Sequence, residues 1–209
     1  GAPLLSWAIA LEDGVVALIR YTYDLRDGGK LPDARPLDQR LARMVRGWAP
    51  AVEAALAEQV EPARAARLSL GHALDFPAAY RTENTAEEAA SDILRLCRLE
   101  TASDRQVRLY HPEHGAAARL KIYRVGGPLA LSDAVPVLEN FGFHVIEEIP
   151  TALADEKGGF IHDFAVGTTS DYADNPTVLE DAIEAVLEGA AENDAFNRLI
   201  VDVDMAPGA

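Results

Sequence analysis

RLKIYRVGGPLALSDAVPVLENFGFHVIEE, residues 119–148, runs from a strand-like stretch through Gly126-Gly127-Pro128 into a short helical segment and out into a second strand-like run. The fold turns on what the glycine pair does. A phosphate-cradling loop needs several glycines spaced for close backbone approach, with Lys-Ser/Thr or a third glycine at the helix start. Neither follows Gly127. What remains is a tight strand-to-helix turn, with Ser132 or Asp133 capping a helix from Leu131 to Phe141 and Gly142 closing it in a left-handed conformation. With Asp133 as the cap, Pro136 falls at the third helical position, where its missing N–H is harmless. The turn has two chemical readings. Its backbone N–H groups and helix N-terminus could hold the carboxylate of a small amino acid, or it simply redirects the chain.

The flanking segments supply the rest of a sheet. QVRLYHP (106–112) and RLKIYRV (119–125) read as strands around an HPEHGAAA turn, and FHVIEEI (143–149) and GFIHDFAV (159–166) as two more around EKGG. Strand, strand, helix, strand, strand, helix is the order of a split βαβ unit, an α+β ferredoxin-like antiparallel sheet with helices on one face. In it 119–125 and 143–149 are parallel with 159–166 inserted between them, and 106–112 flanks 119–125 where a terminal fourth strand usually lies. The last helix starts at Asn175-Pro176 and turns Val178, Leu179, Ala182, Ile183, Val186 and Ala190 inward. Its outer face repeats Glu180, Glu184 and Glu188, read as a solvated face or, alternatively, an acidic docking surface. Residues 196–203 suit helix and strand equally.

Upstream, residues 4–11 and 15–24 form a hairpin around Glu12-Asp13-Gly14, which needs another sheet or helix because two strands alone are marginal in water. RDGGKLPDARP (26–36) is a linker. From Leu37 to Val60 apolar residues follow three- and four-residue steps, interrupted by Gly47 and Pro50, which predicts a kink or two helices meeting near Trp48. Pro62 opens another helix through about Leu74. Thr85-Ala86-Glu87-Glu88 fits a capping box, and Ala89, Ala90, Ile93, Leu94 and Cys97 make an apolar stripe, with Cys97 read as core. The organisation expected is a hairpin ending a preceding domain (1–26), linker and connecting helices (27–104), a sheet domain (105–172) and an acidic helical segment packed on it (173–209).

Composition excludes several functions. Hydrophobic residues at 49% suffice for a core, and no uninterrupted apolar run reaches membrane-spanning length. Formal charge is 19 − 34 = −15, with 13 acidic and 2 basic residues in 151–209, a field that repels nucleic acid. One cysteine permits no internal disulfide, which fits a reducing compartment. Gly1-Ala2 reads as a cleavage or cloning remnant and the chain as an excerpt. His111, Glu113 and His114 in one turn, and His162-Asp163 in a strand, are the metal-like clusters; adjacent strand residues point to opposite faces, so His162 and Asp163 do not co-ligate, and His111 and His114 could converge in their turn, yet two ligands rarely hold zinc. His162, alternating with Phe160, Phe164 and Val166, reads as a hydrogen-bonded histidine on the sheet's apolar face. No nucleophile elbow, dinucleotide fingerprint or paired carboxylates suggest catalysis.

DFPAAYR (75–81), the 119–148 run, FIHDF (160–164) and AENDAFNRL (191–199) together resemble the large bacterial NAD-specific glutamate dehydrogenases, over Leu41 to Leu199. In that family such segments lie in a long N-terminal region of ACT-like domains and connecting helices, ahead of the dehydrogenase domain. The resemblance implies a noncatalytic regulatory or assembly segment of a cytoplasmic homo-oligomer, joined to the remainder of the same polypeptide. It implies no cofactor in this segment and NAD for the full-length enzyme, no catalytic or metal residue, no nucleic acid and no membrane. An ACT-like domain would bind an amino-acid effector at Gly126, Gly127, Pro128, Leu129 and Ser132. The competing reading is a self-standing ACT-like module that binds a protein or small ligand with no dehydrogenase role.

Overall fold

A computed structural model describes residues 3–12, 16–26, 47–112, 118–154, 159–168 and 176–199. The chain divides into two compact units between Gly47 and Trp48. In the first, β1 (Leu4–Glu12) and β2 (Val16–Tyr23) form an antiparallel hairpin with Trp7 opposite Tyr21 and Ile9 opposite Ile19. Their turn, the linker and the helical periodicity of Leu37–Arg46 lie outside the described residues.

The second unit holds four connecting helices and a sheet. The helices are α1 (Trp48–Ala57), α2 (Pro62–His72), α3 (Ala78–Glu83) and α4 (Ala86–Leu96). Pro62 sits at the first helical position as expected, behind a Glu61 side chain that accepts from Arg64 N–H. Thr85 caps α4 by accepting from Glu88 N–H at 3.2 Å, but Glu88 does not reach back to complete the box, because its carboxylate is drawn to Lys121 and Arg108. Half of the expected motif therefore forms.

The sheet follows in the order β3-β4-β6-β5, from β3 (Gln106–Tyr110), β4 (Ala118–Arg124), β5 (Phe143–Ala152) and β6 (Phe160–Thr168). Every neighbouring pair is antiparallel, so β4 and β5, joined through α5 (Leu131–Asn140), are parallel with β6 inserted between them. This is the α+β ferredoxin-like order read from the sequence, and β3 does occupy the outer place beside β4. Gly142 follows α5 with φ +85°, the left-handed conformation expected of a helix-closing glycine.

Strand alternation sends consecutive side chains to opposite faces and builds two cores. Leu120, Ile122, Phe164, Val166, Val107 and Leu109 face α5 and α6 (Pro176–Leu187), which bury Val137, Leu138, Leu179 and Ile183 against them. Tyr123, Val125 and Ile161 face the opposite way and pack with Leu56, Phe76, Ala89 and Ile93 of the connecting helices and their links. The two helices of the split unit thus lie on one face as expected, and the preceding helical segment covers much of the other. Trp48 ties that layer together, donating its indole N–H to Ala73 O at 2.6 Å and meeting Phe76 and Tyr80 edge-on.

Candidate functional site

The turn between β4 and α5 is shaped by two glycines with positive φ, Gly126 at +81° and Gly127 at +114°. Gly126 also packs against the 101–104 turn, where an added Cβ would meet Ala102 Cβ at 3.0 Å, so a side chain fails there on both conformation and space. Arg124 donates from Nη1 to Pro128 O at 2.9 Å, tying the two ends of the turn together. Leu129 is buried and its N–H donates to His162 Nε2 at 3.0 Å.

His162 is 2% exposed, stacked between Phe160 and Phe164, with Nδ1 2.8 Å from Glu148 Oε1. Because Nε2 accepts from Leu129, the hydrogen-bond network assigns the ring proton to Nδ1, which donates to Glu148. His162 is therefore the hydrogen-bonded core histidine the alternation suggested, and it anchors the turn from behind. Asp163 points to the other face, where it accepts from Arg119 and Tyr110.

The cap of α5 is neither Ser132 nor Asp133. The helix starts at Leu131 with Ala130 as N-cap and no side-chain cap bond, while Ser132 and Asp133 hydrogen-bond to each other at 3.2 Å. One turn of register is thereby lost to the expectation: Pro136 lies inside the helix and offers no N–H to Ser132 O. Gly126, Pro128 and Ser132 are exposed, Gly127 is half-buried and Leu129 is buried. Of the five expected residues, four thus line an accessible, uncapped helix start, and the backbone donor of the fifth is already committed to His162. Arg105 lies nearby, held below its usual pKa by burial and then by the charge of Arg124. This arrangement can receive a small carboxylate, though Asp133 in the first helical turn opposes it.

On the opposite face of the sheet lies a polar cluster that the sequence reading missed. Asp92 of α4, 0% exposed, accepts from Lys121 Nζ at 2.8 and 3.1 Å and from Tyr123 OH at 2.8 Å, and also from Tyr80 OH. Lys121, 1% exposed, donates to Glu88 at 2.6 Å, and Arg108 donates to the same Glu88 oxygen at 2.7 Å. Burial raises the Asp92 carboxyl above its usual range, with Lys121 pulling the other way. Burial also pushes Glu88 upward, but Lys121 and Arg108 outweigh it and leave that carboxyl below its usual value. Burial and the Asp92 charge push both tyrosine hydroxyls well above their usual pKa, which keeps them donors. With every charge partnered, the cluster is a clamp between α4 and the sheet. The sequence held a signal for it: Asp92 falls on the same helical stripe as Ala89, Ile93 and Leu96 in α4, and Lys121 stands between the apolar Leu120 and Ile122 in β4.

Cys97 is exposed, which corrects the expectation that it belongs to the core. The buried residues of α4 are Ala89, Ala90, Asp92, Ile93 and Leu96, and Cys97 is the C-cap that follows the last helical residue. The neighbouring His72 has its pKa raised, chiefly by a hydrogen bond to Cys97, with burial opposing and Asp75 adding support from 3.4 Å. Among the described residues no group of three or more His, Cys, Asp or Glu could hold a metal ion; His114 lies outside them. No described helix is long and apolar enough to cross a membrane.

Residues 104–178 match the family model for the ACT3 domain of glutamate dehydrogenase, and residues 55–99 match helical motif 2 of glutamate dehydrogenase. Over 205 residues the chain is 30% identical to an NAD-specific glutamate dehydrogenase of Halomonas elongata, covering 93% of the chain and 13% of that protein. An NAD-specific glutamate dehydrogenase of Pseudomonas aeruginosa is 31% identical over 181 residues, 83% of the chain and 11% of its own length. One from Mycobacterium tuberculosis is 27% identical over 223 residues, 96% of the chain and 14% of its own length. The chain therefore spans only a small part of each relative it matches.

Proposed function

Because the chain belongs to the NAD-specific glutamate dehydrogenase family, as a segment bearing its ACT3 domain and helical motif 2, we propose that it regulates such an enzyme without performing catalysis. In this reading the turn at Gly126, Gly127, Pro128, Leu129 and Ser132 receives a small amino-acid effector. The full-length enzyme converts L-glutamate, NAD and water into 2-oxoglutarate, ammonium and NADH, with NAD and substrate held by other parts of the polypeptide. It works in the cytoplasm as a homo-oligomer.

The observation that carries the proposal is the state of the turn. Its backbone is fixed from behind by His162 and from the side by Arg124, while the start of α5 is accessible and has no side-chain cap. A pre-organised, uncapped helix N-terminus favours an anionic group. Regulation follows if the effector prefers one arrangement of the surrounding domains over another, since equal affinity for both shifts nothing.

Calorimetry of the 209-residue chain against glutamate, aspartate, arginine and the other amino acids tests the proposal. One saturable ligand should emerge, raise the melting temperature and be lost in Gly127→Val, whose side chain strains a backbone at φ +114°. Heats and melting temperatures unchanged across the whole panel would leave this segment with an assembly role and no effector.

A further inference from the structure

The carboxylates on the outer face of α6 are engaged along the sheet rather than turned wholly to solvent. Glu180 Oε1 accepts from Leu109 N–H at 2.7 Å, Glu184 Oε1 from Val107 N–H at 2.6 Å and Glu188 Oε1 from Arg105 N–H at 2.7 Å. The Val107 and Leu109 amides lie on the outer side of β3 and the Arg105 amide just ahead of it, and among the described residues no strand pairs with β3 on that side. The match in spacing is physical. Four residues of helix advance about 6.0 Å and two residues of strand about 6.6 Å, so carboxylates at i, i+4 and i+8 keep step with every second amide of an antiparallel strand. The open carbonyl at Val107 is taken as well, by Arg95 Nη1 at 3.2 Å, and Arg95 pairs with Glu180 at 3.7 Å. Gln106 adds a bond from Nε2 to Glu184 Oε2 at 3.1 Å.

A sheet edge with free N–H and C=O groups is a template for another strand, and proteins close such edges by design. We infer that α6 and Arg95 act as a side-chain substitute for a fifth strand, an autoinhibitory cover that keeps the β3 edge from pairing with the same edge of a second copy of the chain. The acidic repeat is thus an edge cover built to strand spacing. Its carboxylates supply acceptors and Arg95 a donor, the two functions a neighbouring backbone would provide.

Hydrogen exchange and sedimentation of the whole chain test this. In the wild-type chain the Val107 and Leu109 amides should exchange as slowly as paired amides of β4. Glu184→Ala should speed the Val107 amide by roughly tenfold to a hundredfold, the range for losing a hydrogen bond to a charged group, and leave β4–β6 amides unchanged. Glu180→Ala/Glu184→Ala should self-associate with concentration, and Glu180→Gln/Glu184→Gln, which removes the same charge but keeps amide acceptors, should sediment as wild type. Should the alanine pair fail to fold, Glu184→Ala against Glu184→Gln carries the same comparison. Rapid wild-type exchange at Val107 and Leu109, or alanine and glutamine variants that associate alike, would overturn the inference.

Discussion

A single aspartate decides whether α4 can lie on the sheet. Asp92 is fully enclosed, and two tyrosine hydroxyls and Lys121 replace the water it gave up. Such a cluster adds little net stability when intact, because desolvation offsets attraction, yet removing one partner strands a buried charge. Lys121→Met should therefore cost about 3–5 kcal/mol in urea unfolding, several times what exposed ion pairs in general contribute. An effect below about 1 kcal/mol, the range of exposed pairs, would mean that water reaches Asp92. Cys97 presents the opposite case, an exposed thiol beside an imidazole that Asp75 supports. Native protein should react with a disulfide reagent at one thiol per chain without denaturant, because an exposed sulfur is open to the reagent. A thiol that reacts only after unfolding would restore the core reading.

At the level of elements, α6 makes a pH prediction whose sign is fixed by burial. Burial lifts Glu184 from its usual 4.5 to about 7, with the Val107 N–H pulling down, Asp181 and Glu188 pushing up and Arg95 pulling down. Glu180 is raised by burial too. A carboxyl whose folded pKa lies above its unfolded one favours folding when protonated, so this contribution is present below about pH 4.5 and lost as pH rises through 7. The melting temperature should fall between pH 5 and 8, and Glu184→Gln should flatten most of that slope. The remainder belongs to Glu180 and Asp92, raised by burial in the same sense, and to His72, whose raised pKa acts in the same direction above its usual 6.5. Glu88 has the opposite sign, since its lowered pKa removes stability only as pH falls below the usual carboxylate range. An unchanged slope in Glu184→Gln would place that carboxylate in water and off the β3 edge. The same helix shows where sequence reading ends. Val178, Leu179, Ala182, Ile183 and Val186 announced its inner face because apolar periodicity is local to the chain. Its carboxylates face β3 across some 71 to 83 residues of separation, and nothing in Glu180, Glu184 or Glu188 themselves names a strand edge. The strand order was legible for a related reason: alternation, the Gly126-Gly127 turn and Gly142 each fix a local step, and few topologies satisfy all of them. The site was half legible. The glycines marked the turn, but its anchor depends on a histidine 33 residues away, and the Ala130 cap could not be chosen over Ser132 or Asp133 from side-chain preference.

For the molecule as a whole, the two layers of the second unit ought to fold as one body. The sheet is shared: Leu120 and Ile122 bury into the α5–α6 core, and Lys121 and Tyr123, between and beyond them on the same strand, bury into the connecting helices. Peeling the helical layer away would expose Tyr123, Val125 and Ile161 and leave Lys121 without its carboxylates, so neither core opens without cost to the other. An effector at the β4–α5 turn would then act on a strand already clamped to helical motif 2, a direct mechanical route from the turn to the connecting helices. Trp48 reports on that layer through its bond to Ala73, and Trp7 sits in the separate hairpin. In a Trp7→Phe variant, urea unfolding followed by Trp48 fluorescence should give the same free energy as the slowest amide exchange in β4 and β6. In Lys121→Met the two should separate, with the helical layer opening first. Coincidence lost already in the parent variant would mean that the helices and the sheet are independent domains, and that the clamp at Asp92 joins them in space without coupling them in energy.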